Sequence, residues 1–120
     1  MQRIFGTLII AAPDPGSARA IVDRAEATLG WDEVCPFCSI MLAVPAGIAC
    51  ARADDIEHAE LHLAVAERSA VLWHGTAWEA GLAEAQAVVA AANGDQQRAV
   101  AMMQSALDRF EQAGQPLDAE

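Results

Sequence analysis

Residues 14–29 of the chain read DPGSARAIVDRAEATL, and the same pattern returns in residues 55–70, DIEHAELHLAVAERSA, and in residues 95–110, DQQRAVAMMQSALDRF. Each copy begins with Asp, has Ala four residues later and an apolar residue four beyond that. Ala follows after three more residues, and another four lead to the last position of the pattern. Because spacings of three and four place side chains on one face of an α-helix, each copy predicts a helix with one buried face.

The ends of these helices are also marked in the sequence. The Asp that opens each copy predicts an N-cap, since its carboxylate can accept a hydrogen bond from a free N–H of the first turn. Pro15 then occupies the first helical position, where its missing N–H costs nothing. Gly30, Gly94 and Gly114 lie where predicted helices end and are typical of residues just past a helix C-terminus.

The whole chain divides into segments of helical length. Breaks rich in Gly, Pro, Asp and Asn leave six segments of helical length, at about 3–12, 17–29, 35–53, 56–72, 76–92 and 96–113. Ala, the strongest helix former, supplies 28 of the 120 residues, and the gaps are short enough to predict antiparallel neighbours. The sequence therefore predicts an all-α chain of stacked helix pairs, one domain over 1–120 with degenerate repeats at about 1–30, 31–72 and 73–113.

The Asp, Ala, apolar, Ala series resembles the second helix of a tetratricopeptide repeat (TPR). That family also has a small residue twelve positions before the first Ala, where two helices cross, and here those positions are Gly6, Gly47 and Ala87. Two features depart from the family: the copies recur after 41 and 40 residues instead of about 34, and the Trp, Tyr and terminal Pro positions are not matched. The resemblance implies a short right-handed TPR-like α-solenoid of about six helices.

The longer period is similar to that of the helical arrays in large ATP-dependent transcriptional regulators of the LuxR class in high-GC bacteria. The strings GWDEVCPFC at 30–38 and GQPLDAE at 114–120 also resemble that group. The sequence contains no nucleotide-binding loop and no helix-turn-helix motif. The resemblance therefore implies a fragment, or a stand-alone relative, of such a regulator.

The repeat resemblance also implies a partner-binding groove, because the first helices of successive TPRs line the concave side. The corresponding positions are Arg3, Ile10, Met41, Val44, Ile48, Arg52, Glu84 and Val88. This set is mainly apolar, which predicts an apolar helix or extended hydrophobic segment as the guest. The guest could belong to a protein partner, to another domain of the same regulator or to a second copy of the chain. In the alternative interpretation, Met41, Val44 and Ile48 are simply covered by the first two helices.

The motif Cys35-Pro36-Phe37-Cys38 has three interpretations. A C-x-x-C motif with this Pro resembles the active site of thioredoxin-like oxidoreductases, which requires a βαβ frame that the sequence does not predict. A zinc site needs about four converging ligands. The candidate metal ligands are Cys35 and Cys38, or alternatively Cys50, His58 and His62. The interpretation that fits the helical pattern is that these cysteines are small buried apolar residues, with Pro36 in a first helical turn and no disulfide framework.

Two further residues are unusual for their positions. His62 aligns with Ile21 and Met102 of the other copies, so it is predicted to pack against a neighbouring helix. Pro45 falls inside the third predicted helix, where it removes the hydrogen bond to the carbonyl of Met41 and predicts a kink.

Composition excludes several classes of function. A net charge of −10, with seven Arg and no Lys, argues against direct binding of nucleic acid. The apolar segment at 4–12 is too short to span a membrane, and neither a paired nucleophile and base nor a phosphate loop indicates an enzyme or a bound cofactor. The predicted function is a cytoplasmic, non-enzymatic helical-repeat module for protein or effector binding, within a transcriptional regulator or related to one. The alternative is a thiol-dependent metal-binding or redox protein that uses Cys35 and Cys38.

Overall fold

The computed structural model describes residues 2–31 and 35–114. Over these ranges the chain forms six α-helices: α1 Gln2–Ala11, α2 Pro15–Leu29, α3 Ile40–Arg52, α4 Ile56–Ala70, α5 Ala77–Ala92 and α6 Gln96–Gln112. A short 3-10 helix, Val71–Trp73, follows α4 directly. The two described ranges contain no β-strand, which confirms the all-α prediction. None of their helices has the length and hydrophobicity that crossing a bilayer requires.

The helices pack mainly against their neighbours in sequence. Each helix contacts the next one along the chain, and the first helices of the three pairs also contact one another, α1 with α3 and α3 with α5. Helix α3 thereby touches α1, α2, α4 and α5, and ten of its thirteen residues are buried. A helix that is apolar on nearly every side is stable in water only when other elements surround it. Helix α3 is therefore the centre of the domain.

The three predicted N-caps are confirmed. The Asp carboxylates accept hydrogen bonds from backbone N–H groups three residues on: Asp14 from Ser17 at 2.7 Å, Asp55 from His58 at 3.2 Å and Asp95 from Arg98 at 3.1 Å. At the other end of α2, Gly30 has a φ of 69°, a left-handed conformation that glycine adopts without steric cost. The repeated pattern thus fixes where these helices begin and how the first of them ends.

The repeated apolar positions face the interior, with one exception. Ala25, Ala59 and Ala66 are completely buried, and Ala106 is nearly so. Met103, which occupies the position of Val22 in the first copy, is 39% exposed. Helix α6 packs mainly on α5, so within the described residues no following helix covers this side of it.

The third helix is shorter than predicted. It begins at Ile40 instead of residue 35, because residues 36–39 form a hydrogen-bonded turn. A disulfide joins Cys35 and Cys38 across this turn. The Ser39 hydroxyl donates a hydrogen bond to the Cys35 carbonyl at 2.9 Å, within this turn. Pro45 is consequently the sixth residue of α3, and the helix continues past it to Arg52.

Gly6 lies where α1 and α3 approach most closely. A Cβ atom at Gly6 would overlap the carbonyl oxygen of Met41 and lie 3.4 Å from Cγ of Pro45. Because Pro45 has no N–H, it cannot donate the usual helical hydrogen bond to that carbonyl. Gly47, the matching position of the second repeat, instead faces its own partner helix, and its Cβ would lie an ordinary 3.6 Å from the Ala59 carbonyl oxygen. The crossing implied within each repeat is therefore present at Gly47, whereas the closest neighbour of Gly6 is in the next repeat.

The substitution Gly6→Ala is expected to lower the free energy of unfolding by about 1–3 kcal/mol, because the new methyl group would displace backbone atoms of α3. The matched variant Gly47→Ala should leave stability unchanged or raise it by up to about 1 kcal/mol, since the methyl group has room and Ala favours a helix over Gly. Urea denaturation followed by circular dichroism measures both values. Equal effects of the two substitutions would contradict the close approach at Gly6.

Candidate functional site

A groove with a volume of about 760 Å³ opens between α1, α3 and α5. This volume lies within the range typical of ligand-binding clefts, about 300–1,000 Å³. Its floor is the side of α3 that carries Val44, Pro45, Ile48 and Ala49. The remaining lining residues are Ile9 and Ile10 of α1, the segment Ala12–Pro15 with Ala18 of α2, Arg52, Thr76, Ala77, Trp78, Gly81 and Glu84, and Phe110 of α6. The groove is thus an apolar channel bounded by the first helices of all three pairs.

Five of the eight residues predicted from the repeat resemblance line this groove. They are Ile10, Val44, Ile48, Arg52 and Glu84. Arg3, Met41 and Val88 do not line it: Arg3 is exposed on α1, whereas Met41 and Val88 are partly buried against the hydrophobic core. Val44 is buried although it lines the groove, so the alternative interpretation, in which the apolar residues of α3 are simply covered, describes Val44 as well as Met41. Ile48 is partly buried and lines the groove.

The repeat alignment did not identify the aromatic wall of the groove. Trp78 and Phe110 both line it, and Gly81, which also lines it, leaves open the space beside Trp78 and Val44 that a larger side chain would fill. A Cβ at Gly81 would lie 3.5 Å from Val44 and 3.9 Å from Trp78, so this glycine widens the channel without any backbone clash. The sequence does show Trp78 near the start of a predicted helix. A single Trp does not, however, indicate which side of that helix faces the groove.

Charged groups of the groove lie apart from its apolar floor. Asp14, at the loop between α1 and α2, already accepts hydrogen bonds from the Ser17 N–H and hydroxyl groups at 2.7 and 3.1 Å. Arg52, at the end of α3, is exposed and forms no ion pair within the described residues. Glu84 lies on the α5 wall. A guest in the groove would meet both signs of charge at its margins.

A separate polar cluster lies between α2 and α4. Arg19 donates two hydrogen bonds to the same oxygen of Asp55, from Nε at 3.1 Å and from Nη2 at 2.7 Å. This guanidinium group lowers the pKa of Asp55 to about 2. Because Asp55 is also the N-cap of α4, the pair connects the start of that helix to the middle of α2.

Glu26 and His62 extend this cluster towards the interior. Nε2 of His62 lies 3.3 Å from Oε1 of Glu26, and the Trp31 ring covers the imidazole at a centroid distance of 4.6 Å. His62 is only 4% exposed, as its apolar counterparts in the repeat alignment suggested. Burial lowers the pKa of His62 to about 4 and raises the pKa of Glu26 above its ordinary value. His62 is therefore neutral at pH 7.

The candidate metal ligands do not form a site in the described residues. No group of three or more His, Cys, Asp and Glu side chains there could hold a metal ion, and Cys50, His58 and His62 do not converge on one point. Burial also raises the pKa of the Cys50 thiol to about 12, whereas a metal ligand must be a thiolate. Cys35 and Cys38 are bonded to each other, so in this state neither sulfur is a free thiolate ligand.

The interpretation of Cys35 and Cys38 as buried apolar residues is wrong. Both are partly exposed and form a disulfide, and the carbonyls of the two residues between them are fixed by α4 and the 3-10 helix. The Ser69 hydroxyl donates to the Pro36 carbonyl at 2.6 Å, and Nε1 of Trp73 donates to the Phe37 carbonyl at 2.6 Å. The Phe37 and Trp73 rings stack at 4.1 Å. These contacts join residues that are more than thirty positions apart, so local periodicity carried no sign of them.

His62 is expected to make the protein less stable in mild acid. Its pKa is about 4 when folded and about 6.5 when unfolded, so between these values the unfolded chain binds more protons and stability falls as the pH decreases. From pH 7 to pH 5 this group contributes a loss of about 2 kcal/mol. Glu26, whose folded pKa is raised, acts in the opposite sense because the folded state holds its proton to a higher pH.

The variant His62→Gln separates these effects, because Gln keeps an N–H donor for Glu26 but does not titrate. Urea denaturation at pH 7 and pH 5 should show a loss of stability that is smaller in the variant by about 2 kcal/mol. The same pH dependence in both proteins would mean that His62 is not held neutral by burial.

Comparisons with protein-family models, with curated proteins and with solved structures found no match to this chain. The geometry alone describes an all-α domain of six described helices with sequential packing, an apolar groove over α3 and a surface disulfide on its opposite end.

Proposed function

We propose that this chain is a non-enzymatic helical-repeat module that binds an amphipathic helix of a protein partner in the groove over α3. The observation that carries the proposal is the channel of about 760 Å³, whose floor is apolar and whose walls come from the first helices of all three pairs. Nothing in its lining combines a nucleophile with a base, which favours binding over catalysis.

A helix suits this groove better than an extended segment. An extended guest needs partners for its backbone N–H and C=O groups, which a neighbouring strand usually supplies. The described helices of this chain satisfy their own backbone groups and offer no strand edge. A helical guest also satisfies its own backbone, so it needs only apolar side chains at i, i+3, i+4 and i+7 to cover Val44, Ile48 and Trp78.

Charge favours a cationic partner over a second copy of this chain. The sequence carries a net charge of −10, so two copies repel each other before they meet, whereas a basic helix is attracted. Asp14, Glu84 and Arg52 line the groove, so the preference for a cationic guest comes from the net charge of the whole chain. A helical guest with an apolar face and with Lys or Arg beside that face therefore matches both the apolar floor of the groove and the negative net charge of the chain.

The relation to tetratricopeptide repeats and to LuxR-class regulators is part of the same proposal. The Asp-capped copies, their spacing of 41 and 40 residues and the contacts among first helices support a TPR-like relation. On this basis we infer that the module works in the cytoplasm within a transcriptional regulator of the LuxR class, where it would bind a protein partner or another domain and leave DNA binding to other parts.

Binding can be tested with a synthetic helical peptide that has Leu at i, i+3, i+4 and i+7 and Lys elsewhere. Saturable binding to the full chain is expected by calorimetry, together with chemical-shift changes at Val44 and Ile48. A peptide of the same pattern with Glu in place of Lys should bind at least tenfold more weakly because of the net charge. If neither peptide binds, or if the shift changes avoid the groove, the proposal is wrong.

Two substitutions on α1 provide a matched pair. Ile10 is 72% exposed and lines the groove, whereas Ile4 is 59% exposed and does not. Ile10→Asn should weaken the Lys-containing peptide by about tenfold, because one apolar side chain is lost from the contact. Ile4→Asn should leave the affinity unchanged, and equal losses in the two variants would place the contact outside the groove.

A further inference from the structure

The disulfide between Cys35 and Cys38 does not hold the fold together. It closes a loop with a sequence separation of three and joins no two helices. A cross-link over so short a loop removes little chain entropy from the unfolded state, compared with one that connects distant elements. The helices are instead held by the three clusters of buried apolar residues. A structural role therefore does not account for this bond.

The loop stays in place through contacts that do not involve sulfur. Ser69 is 2% exposed, donates to the Pro36 carbonyl at 2.6 Å and accepts a hydrogen bond from the Ile40 N–H at 3.1 Å. Trp73 adds its hydrogen bond to the Phe37 carbonyl and its ring stack on Phe37. None of these contacts involves a sulfur atom, so we expect them to remain when the S–S bond is broken and to keep the two thiols close enough to re-form it.

The two sulfurs also differ in their surroundings. The backbone N–H of Cys38 donates to Sγ of Cys35 at 3.2 Å, whereas no comparable donor to Sγ of Cys38 occurs in the described residues. A hydrogen bond of this kind stabilises a thiolate more than a thiol. Cys35 is therefore the better leaving group when the bond is cleaved.

We propose that Cys35 and Cys38 are a redox-active pair that undergoes thiol–disulfide exchange with a dithiol. A thiolate of the dithiol attacks Sγ of Cys38, the S–S bond breaks, and its electron pair leaves on Sγ of Cys35. The second thiolate of the dithiol then attacks its own sulfur in the mixed disulfide and releases Cys38 as a thiolate. The dithiol loses two electrons and two protons and becomes a disulfide, and the two cysteines gain both.

Cys50 provides an internal reference for this chemistry. It is the free cysteine of the described residues, it is completely buried in α3, and burial holds it as a thiol. It is therefore not expected to take part in exchange while the protein is folded. Any reactivity of the native chain towards a dithiol belongs to the other two cysteines.

The test equilibrates the full chain in mixtures of reduced and oxidised dithiothreitol, followed by acid quenching, alkylation in denaturant and measurement of the intact mass. As the fraction of reduced dithiothreitol increases, the number of alkyl groups per chain should rise from one to three in a single two-electron transition. In the variant Cys50→Ala the number should rise from zero to two. Circular dichroism should show unchanged helix content across the transition. A chain that stays at one alkyl group until it is denatured, or that loses helix as it is reduced, would overturn the proposal.

Variants that keep one cysteine of the pair, together with the buried Cys50, test the assigned roles. In Cys38→Ser the remaining Cys35 thiol should react with iodoacetamide at pH 7 several times faster than Cys38 does in Cys35→Ser, because the N–H donor favours its thiolate. Tryptophan fluorescence should change on reduction of the native chain, and Trp73→Phe should remove most of that change while leaving the two-electron transition in place. Equal alkylation rates would overturn the assignment of Cys35 as the leaving group.

Discussion

The arrangement of this domain depends on one backbone contact, that of Gly6 with the carbonyl of Met41. Helix α1 can approach α3 this closely because Gly6 has no Cβ. Pro45 has no N–H, so the Met41 carbonyl lacks its usual helical donor at this point of contact. The approach matters because α3 is apolar on almost every side and must be enclosed. With α1 held against one side, α2, α4 and α5 can cover most of the remainder.

The same contact creates the groove. Helix α1 crosses α3 near Met41 and Pro45, so Ile48 and Arg52, in the later part of α3, keep exposed surface between α1 and α5. Gly81 keeps the α5 side from filling this space. The groove is therefore a consequence of how three first helices pack around a buried centre. Its apolar floor is the side of α3 that faces the space between α1 and α5.

The sequence predicted those features that repeat every 40 or 41 residues. The caps at Asp14, Asp55 and Asp95 and the buried Ala positions follow from local physical chemistry, so the helices could be placed without coordinates. The five residues that line the groove came instead from the resemblance to tetratricopeptide repeats. Features that depend on one particular tertiary contact could not. Met103 was misplaced because the pattern does not record that α6 lacks a following neighbour among the described helices. The disulfide was missed because the turn at 36–39 is stabilised by Ser69 and Trp73, which are far away in sequence.

The disulfide loop and the groove are connected by aromatic rings. Phe37 stacks on Trp73 at 4.1 Å, and Trp73 meets Trp78 edge-on at 6.5 Å. Trp78 in turn lines the groove, beside Val44 of α3 and close to Gly81. Aromatic pairs at these distances favour particular relative orientations, so a shift of the Phe37 ring changes the energetically preferred position of Trp73 and, through it, of Trp78. The three rings therefore connect the disulfide loop to the wall of the groove through direct contacts.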